Sequence, residues 1–274
     1  MSMVPIGASV IDGHEAGHGF PFDSEGIKKR YPGVFFSQFT GAELVADKWN
    51  LTREDLDKFA LESHQKAASA TELKYFDREI LPVEGKNAEG IDDLVLSDEG
   101  IRFDASLDKL SGLKPVSEGG KITAGNASQI TDGAAAVVIC NEVGLKKIQS
   151  NPRAEIVSIS VVGDDPVFML TGPIPASQKA LKNAQLSIDD IDIYEVNEAF
   201  APVPLAWAKE LKADKNKLNV NGGAMALGHP LGATGAKLMT TMLHELERRK
   251  ARYALQAICE GGGTANATII KRLD

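Results

Sequence analysis

Four short stretches of the chain hold residue types that can do metal, acid–base or nucleophilic chemistry. His14-Glu15-Ala16-Gly17-His18 spells H-E-x-x-H. On a helix this pattern sets two imidazoles on one face for zinc, with the glutamate beside them as base. Gly13, Gly17 and Gly19, and then Pro21, interrupt any such helix. A Gly-rich loop is expected, its histidines facing solvent or a neighbouring chain, with no metal. Asn197-Glu198-Ala199-Phe200-Ala201 follows the apolar stretch IDIYEV. The C-terminal end of a strand is where α/β proteins gather active-site groups, and an asparagine there also serves as a helix N-cap. Asn219-Val220-Asn221-Gly222-Gly223 runs on to Gly228-His229-Pro230-Leu231-Gly232. Glycines let backbone approach a ligand closely, and a single imidazole before a proline is either structural or a general base. Cys259-Glu260-Gly261-Gly262-Gly263 sets a thiol before three glycines, whose N–H groups suit a developing oxyanion. Cys140 also ends an apolar run, but Asn141-Glu142-Val143 follows, and it reads as a small core residue.

Elements must hold these groups. Residues 1–40 are rich in Gly, Pro and aromatics and read as irregular. A helix is expected over 42–49, and another over 53–70. In the second, Thr52 and Asp55 form a capping-box pattern, and Leu56, Phe59, Ala60, Ser63 and Ala67 recur at helical spacing. Residues 82–120 are expected mostly as loop. The wholly apolar run 134–139 reads as a strand buried on both faces. Further strands are expected at 155–162, 191–196, 253–259 and 266–272, with helices at 176–184, 200–212 and 234–249. In the last helix Leu238, Met239, Met242, Leu243 and Leu246 form one stripe, with Glu245, Arg248 and Arg249 opposite. Alternating strands and helices mean a layered α/β architecture. A composition shift at 145–152 marks the expected domain boundary.

Composition narrows the partners. The 274 residues carry 30 basic and 38 acidic side chains, a net charge of 30 − 38 = −8. Such an acidic chain is a poor general binder of nucleic acid or anionic membrane. No apolar run is long enough to span a bilayer. The N-terminus has no basic region before its apolar stretch and is read as no signal peptide. Two cysteines make no disulfide framework and fit a reducing compartment, so a cytoplasmic location is expected.

The motifs occur in a specific order: N-E-A-F-A, then N-x-N-G-G-x-x-x-x-G-H-P-x-G-x-[ST]-G, then C-x-G-G-G, with spacings of 229 − 197 = 32 and 259 − 229 = 30. This arrangement resembles the thiolases, the acetyl-CoA acetyltransferases and 3-ketoacyl-CoA thiolases. Thr123-Ala124-Gly125-Asn126-Ala127-Ser128, Asp132-Gly133-Ala134-Ala135-Ala136 and Thr171-Gly172-Pro173-Ile174-Pro175-Ala176 are similar to that family as well, and the resemblance covers essentially the whole chain. It implies a layered α-β-α-β-α fold. Residues 1–147 would be the rest of the N-terminal half, with a CoA-binding loop domain at about 1–122, and residues 148–274 the C-terminal half. It implies acyl transfer between thioesters, by thiolysis of a 3-ketoacyl-CoA or Claisen condensation of acetyl-CoA, in fatty-acid or lipid degradation. His229 would be the base, Asn197 would position an oxyanion-hole water, and Cys259 would be the acid/base at the substrate α-carbon. The Gly261 N–H would be half of a second oxyanion hole. Ser128 would meet the pantetheine arm, and Ala124, Ala127, Met169, Ala199 and Phe200 would line the CoA and acyl pocket. Coenzyme A or acyl-CoA is the implied substrate, with no permanent cofactor, and the implied full-length assembly is a homodimer or homotetramer.

Two departures bear on acyl-chain preference. Ser37-Gln38-Phe39 stands where many thiolases carry His-Met-Gly, and Thr264-Ala265 where many carry Gln-Gly or Met-Gly. The resemblance also sets the acyl-accepting cysteine upstream of a stretch like Met1-Ser2-Met3-Val4-Pro5. The chain is therefore expected to lack that thiol, to have an incomplete first half-domain, to leave the 134–140 strand short of neighbours, and to be inactive alone. A non-catalytic thiolase-like protein that binds CoA or a partner is the alternative.

Overall fold

The computed structural model describes residues 7–86 and 89–273; Met1-Ser2-Met3-Val4-Pro5 lies outside them. The chain opens with α1 (Ala8–Gly13), a single wide turn over His14–His18, and α2 (Glu25–Arg30). Irregular structure up to residue 40 is thus corrected: Ser24 caps α2 by accepting from the Ile27 N–H at 3.3 Å, a cap that offsets the poor helix-forming composition around it. The H-E-x-x-H stretch is a helical turn rather than a loop, broken at Gly17 by its left-handed φ of 85°. His14 stacks on Phe20, and no group of three or more metal-ligating side chains gathers among the described residues.

Next come α3 (Gln38–Lys48) and α4 (Arg53–Glu72). The capping box of α4 forms as its sequence predicts. The Thr52 N–H donates to Asp55 Oδ2 at 2.8 Å, and the Asp55 N–H donates to Thr52 Oγ1 at 3.1 Å. The expected stripe of α4 is buried, with Asp57 and His64 buried beside it. Burying each large apolar side chain of that stripe contributes about 1.5–3 kcal/mol. The segment 82–120 is less irregular than expected: β1 (Val83–Lys86) and β2 (Asp92–Val95) pair as a hairpin, and α5 (Leu107–Ser111) follows.

The remaining elements are α6 (Glu142–Ile148), β3 (Ala154–Gly163), α7 (Pro173–Ala184), β4 (Ile193–Val196), α8 (Pro202–Leu211), α9 (Ala224–Leu227), α10 (Thr234–Arg249), β5 (Tyr253–Cys259) and β6 (Thr264–Arg272). Four strands form one sheet in the order β3-β6-β5-β4. Only β4 and β5 are parallel, and α8, α9 and α10 make the crossover between them. Alternation along the strands divides the core. Leu255, Ala257 and Ile269 pack with Ile174, Ala180 and Leu181 of α7. Ala254 and Ile270 pack with Met242 and Leu246 of α10. The sheet therefore lies between helices on both faces, the layered α/β arrangement that the sequence implies.

Three further expectations fail. Residues 134–139 form no strand, and Val138 and Ile139 are 84% and 65% exposed. A strand needs a partner for its N–H and C=O groups, and no described segment runs beside this one. Apolar surface is left exposed there. Cys140 is accordingly exposed rather than a core residue. On α10, Glu245 is buried instead of facing solvent with Arg248 and Arg249. Both arginines turn back to pair with it, and Asn221 Nδ2 donates to it at 3.1 Å, which meets the requirement that a buried charge be paired.

Candidate active site

Asn197 leaves the C-terminal end of β4 with its N–H donating to the Ala257 carbonyl of β5 at 3.0 Å. Val196 and Ala257 are in register, so Cys259 at the end of β5 lies two residues beyond that point on the adjacent strand. His229 sits between α9 and α10. Gly228 before it adopts φ 80°, where a Cβ would collide with Thr131. The His229 N–H donates to the Gln129 carbonyl at 3.1 Å.

Side-chain geometry brings Asn197 and His229 together: Asn197 Nδ2 is 3.2 Å from His229 Nε2. On the other side of the ring, His229 Nδ1 is 2.6 Å from Thr234 Oγ1. The Thr234 hydroxyl spends its single proton on the Pro230 carbonyl, 3.0 Å away. It can then only accept from His229, so Nδ1 carries the imidazole proton and Nε2 holds the lone pair. That lone pair accepts from Asn197. Burial, with Lys237 nearby, holds the His229 pKa below its usual value, so the ring is neutral at pH 7. The Asn197 Oδ1 is buried with no hydrogen-bond partner among the described residues.

Cys259 is buried, and burial pushes its thiol pKa up to about 12. It belongs to the sheet face of Leu255 and Ala257, and no hydrogen bond joins it to His229 among the described residues. In this state it is a protonated thiol, a donor rather than a nucleophile. Gly261 lies exposed beyond the end of β5, in a tight turn that Gly262 and Gly263 close with φ of 73° and 83°.

The other expected residues fall into three places. Ala127 and Ser128 lie against the strand end: Ala127 bridges Phe200, and the Ser128 N–H donates to the Ala199 carbonyl at 3.0 Å. Phe39 of α3 meets the Phe200 ring edge-on, with centroids 5.4 Å apart. Met169 is buried near α3 in a left-handed backbone conformation, φ 58°, uncommon for a residue with a side chain. Ala124 lies apart from these, in a cleft of about 510 Å³ that His64, Arg102, Ser106, Lys109 and Met225 also line.

Residues that sequence reasoning passed over hold the site in place. Glu198 is buried, and its carboxylate accepts from the Ser63 hydroxyl at 2.7 Å, Asn219 Nδ2 at 2.8 Å and the Met225 N–H at 3.1 Å. One side chain thus joins the N-E-A-F-A stretch to α4, to the N-x-N-G-G stretch and to α9. A Cβ at Gly223 would strike this carboxyl, which explains a glycine there. Burial raises the Glu198 pKa while these donors oppose the rise. Both Glu198 and Asn219 belong to stretches singled out from the sequence; the partnership with Ser63, in a helix stripe far away, has no sequence signature. Thr234 was read only as part of the Gly-rich pattern.

Both parts of the chain resemble known proteins. Residues 23–143 match the family model described as the N-terminal domain of thiolase, and residues 150–272 that of the C-terminal domain. The steroid 3-ketoacyl-CoA thiolase FadA6 of Mycobacterium tuberculosis is 53% identical over 274 residues, 100% of this chain and 66% of that protein. The crystal structure of the Bacillus anthracis acetyl-CoA acetyltransferase superposes with a TM-score of 0.83 at 41% identity, covering 88% of this chain and 61% of that one. Human mitochondrial 3-ketoacyl-CoA thiolase in complex with CoA gives a TM-score of 0.79 at 44% identity, covering 85% and 58%. The chain spans about three fifths to two thirds of the length of these proteins.

Proposed function

Because the chain belongs to the thiolase family, we propose that it contributes the base-bearing part of an acyl-CoA acyltransferase site, for thiolysis of a 3-ketoacyl-CoA or condensation of acetyl-CoA. One observation carries the reading: His229 Nε2 holds a lone pair against the Asn197 amide, with Thr234 fixing the tautomer. An imidazole in that state takes a proton from a thiol, and the Asn197 amide hydrogens supply polar contact where a thioester oxygen gains charge. Cys259, holding its proton, would then supply it at the substrate α-carbon, and the thiolate left behind would take a proton back in the reverse direction. The Gly261 N–H would stabilise the adjoining oxyanion.

Coenzyme A is the proposed ligand of the cleft beside α4, which Ala124 lines, with Ser128 meeting the pantetheine arm. Ala127, Met169, Ala199 and Phe200 would line the acyl end. Arg102 and Lys109 line the cleft, and they suit the phosphates of CoA. The proposed assembly is a homodimer or homotetramer in the cytoplasm. The unpaired thiols of Cys140 and Cys259 agree with a reducing compartment.

A second reading, a non-catalytic protein that binds CoA or a partner, is favoured by the thiols themselves. Cys140 is exposed and Cys259 is buried and protonated, so neither is built as an acyl acceptor. Calorimetric titration of CoA against the chain and its Arg102→Ala/Lys109→Ala variant tests the shared part. Binding weakened ~10-fold or more in the variant, as loss of two charge-assisted contacts predicts, supports both readings, and equal binding removes both. Thiolysis of acetoacetyl-CoA by the assembled protein separates them, since only the first reading expects turnover.

A further inference from the structure

Beneath Asn197, β4 carries a buried carboxyl that the chemistry above does not use. Glu195 is 2% exposed and stands in register with Gln256 of β5, which is 4% exposed. Parallel neighbours in register point to the same sheet face, on strands about 4.8 Å apart. That face is the one α10 covers. Glu195 Oε1 and Gln256 Oε1 are both buried and both lack a hydrogen-bond partner. Two unsatisfied acceptors on neighbouring strands are costly to bury, and one proton between them removes the conflict.

We propose that Glu195 is held as a neutral carboxylic acid, that its O–H donates to Gln256 Oε1, and that this bond clamps β4 to β5 directly beneath the strand ends bearing Asn197 and Cys259. The surroundings favour the neutral form. Burial raises the Glu195 pKa well above the ordinary carboxylate value, against the opposing charge of Lys237 of α10. Glu198 beyond the strand end, Glu79 from the segment after α4, and Glu245 of α10 add negative potential. Gln256 is the neutral neighbour on β5. Lys237 also bears on His229, and ionising Glu195 would break the clamp beneath Asn197. Glu195 is thus a positioning residue. Its link to catalysis rests on the function proposed above, but its protonation does not.

Infrared difference spectroscopy tests it on the whole chain at pH 7, without CoA. The expected result is a carbonyl stretch of a neutral carboxylic acid in the native protein that is absent from Glu195→Gln. No loss of such a band overturns the proposal. Gln256→Leu keeps the carboxyl but removes its acceptor, and the band should move to higher frequency; an unmoved band likewise overturns it. The unfolding temperature gives a second readout. Glu195 has a raised folded pKa, so its contribution is complete at acid pH and is lost as pH climbs from the unfolded value through the folded one. Glu195→Gln, which keeps a donor but cannot ionise, should lose less stability than the native chain over that climb. A parallel decline in both proteins counts against the clamp. Neither readout depends on turnover, so failure here and failure of the thiolase reading are distinguishable.

Discussion

Ser63 and Glu198, 135 residues apart in the chain, are joined by a buried 2.7 Å hydrogen bond. The same hydroxyl accepts from the Gly223 N–H at 3.0 Å. A position that looks like one more small residue on a helix stripe therefore locks α4 onto both motif-bearing loops.

Ser63→Ala leaves a buried N–H without its acceptor and a buried carboxylate short of a donor. Urea unfolding should show a loss of about 1–3 kcal/mol. A loss below ~0.5 kcal/mol, the size of an ordinary surface substitution, would mean that the bond does not hold in solution.

The Thr234 hydroxyl decides the protonation pattern of His229, so removing it should change the tautomer. In Thr234→Val, nitrogen NMR of the imidazole should show the proton redistributed from Nδ1 towards Nε2. Under the acyl transfer proposed above, His229→Ala in the assembled protein should lower kcat by ~10² or more through loss of the proposed general base, with Thr234→Val between that variant and native. Unchanged nitrogen shifts would contradict the geometry.

Acid should destabilise the protein through the same ring. The folded pKa of His229 is lowered by burial, so the unfolded chain binds the proton more readily. The stability this contributes is complete above the unfolded value of about 6.5 and is lost as pH falls through the lowered folded value. His229→Gln should flatten that part of the stability profile in thermal melts between pH 7 and pH 5; an identical slope in both proteins would exclude His229 as its source.

Thiol labelling separates the two cysteines. Iodoacetamide at pH 8 should place one adduct on exposed Cys140 and leave Cys259 unmodified in the native state, since the reagent attacks the thiolate and burial keeps Cys259 protonated. Peptide mass spectrometry reads the outcome, and early labelling of Cys259 would show an open or ionised site.

The apolar run near Cys140 offers a test of the fold. Val138 is 84% exposed, so Val138→Lys should change unfolding free energy by less than ~0.5 kcal/mol. Were the run a buried strand, the same change would cost several times more by burying an unpaired charge.

Much of this was legible in the sequence. The capping box and stripe of α4, the four sheet strands and helices α7, α8 and α10 follow from local periodicity, because each element's own residues decide which face is apolar. The three motifs and their order carry the family, and by themselves set Asn197, His229 and Cys259 at element ends.

Tertiary structure decided the rest. An apolar run at 134–139 becomes a strand only if another segment supplies hydrogen-bond partners, and periodicity says nothing of partners. Whether Glu245 faces solvent depends on Asn221 and two arginines turning back to meet it. The protonated nitrogen of His229 depends on where Thr234 sends its proton, and the shared proton assigned to Glu195 depends on strand register. Composition and spacing determined which groups are present and in what order; only packing, by excluding water from them, determined which carry protons and which face one another.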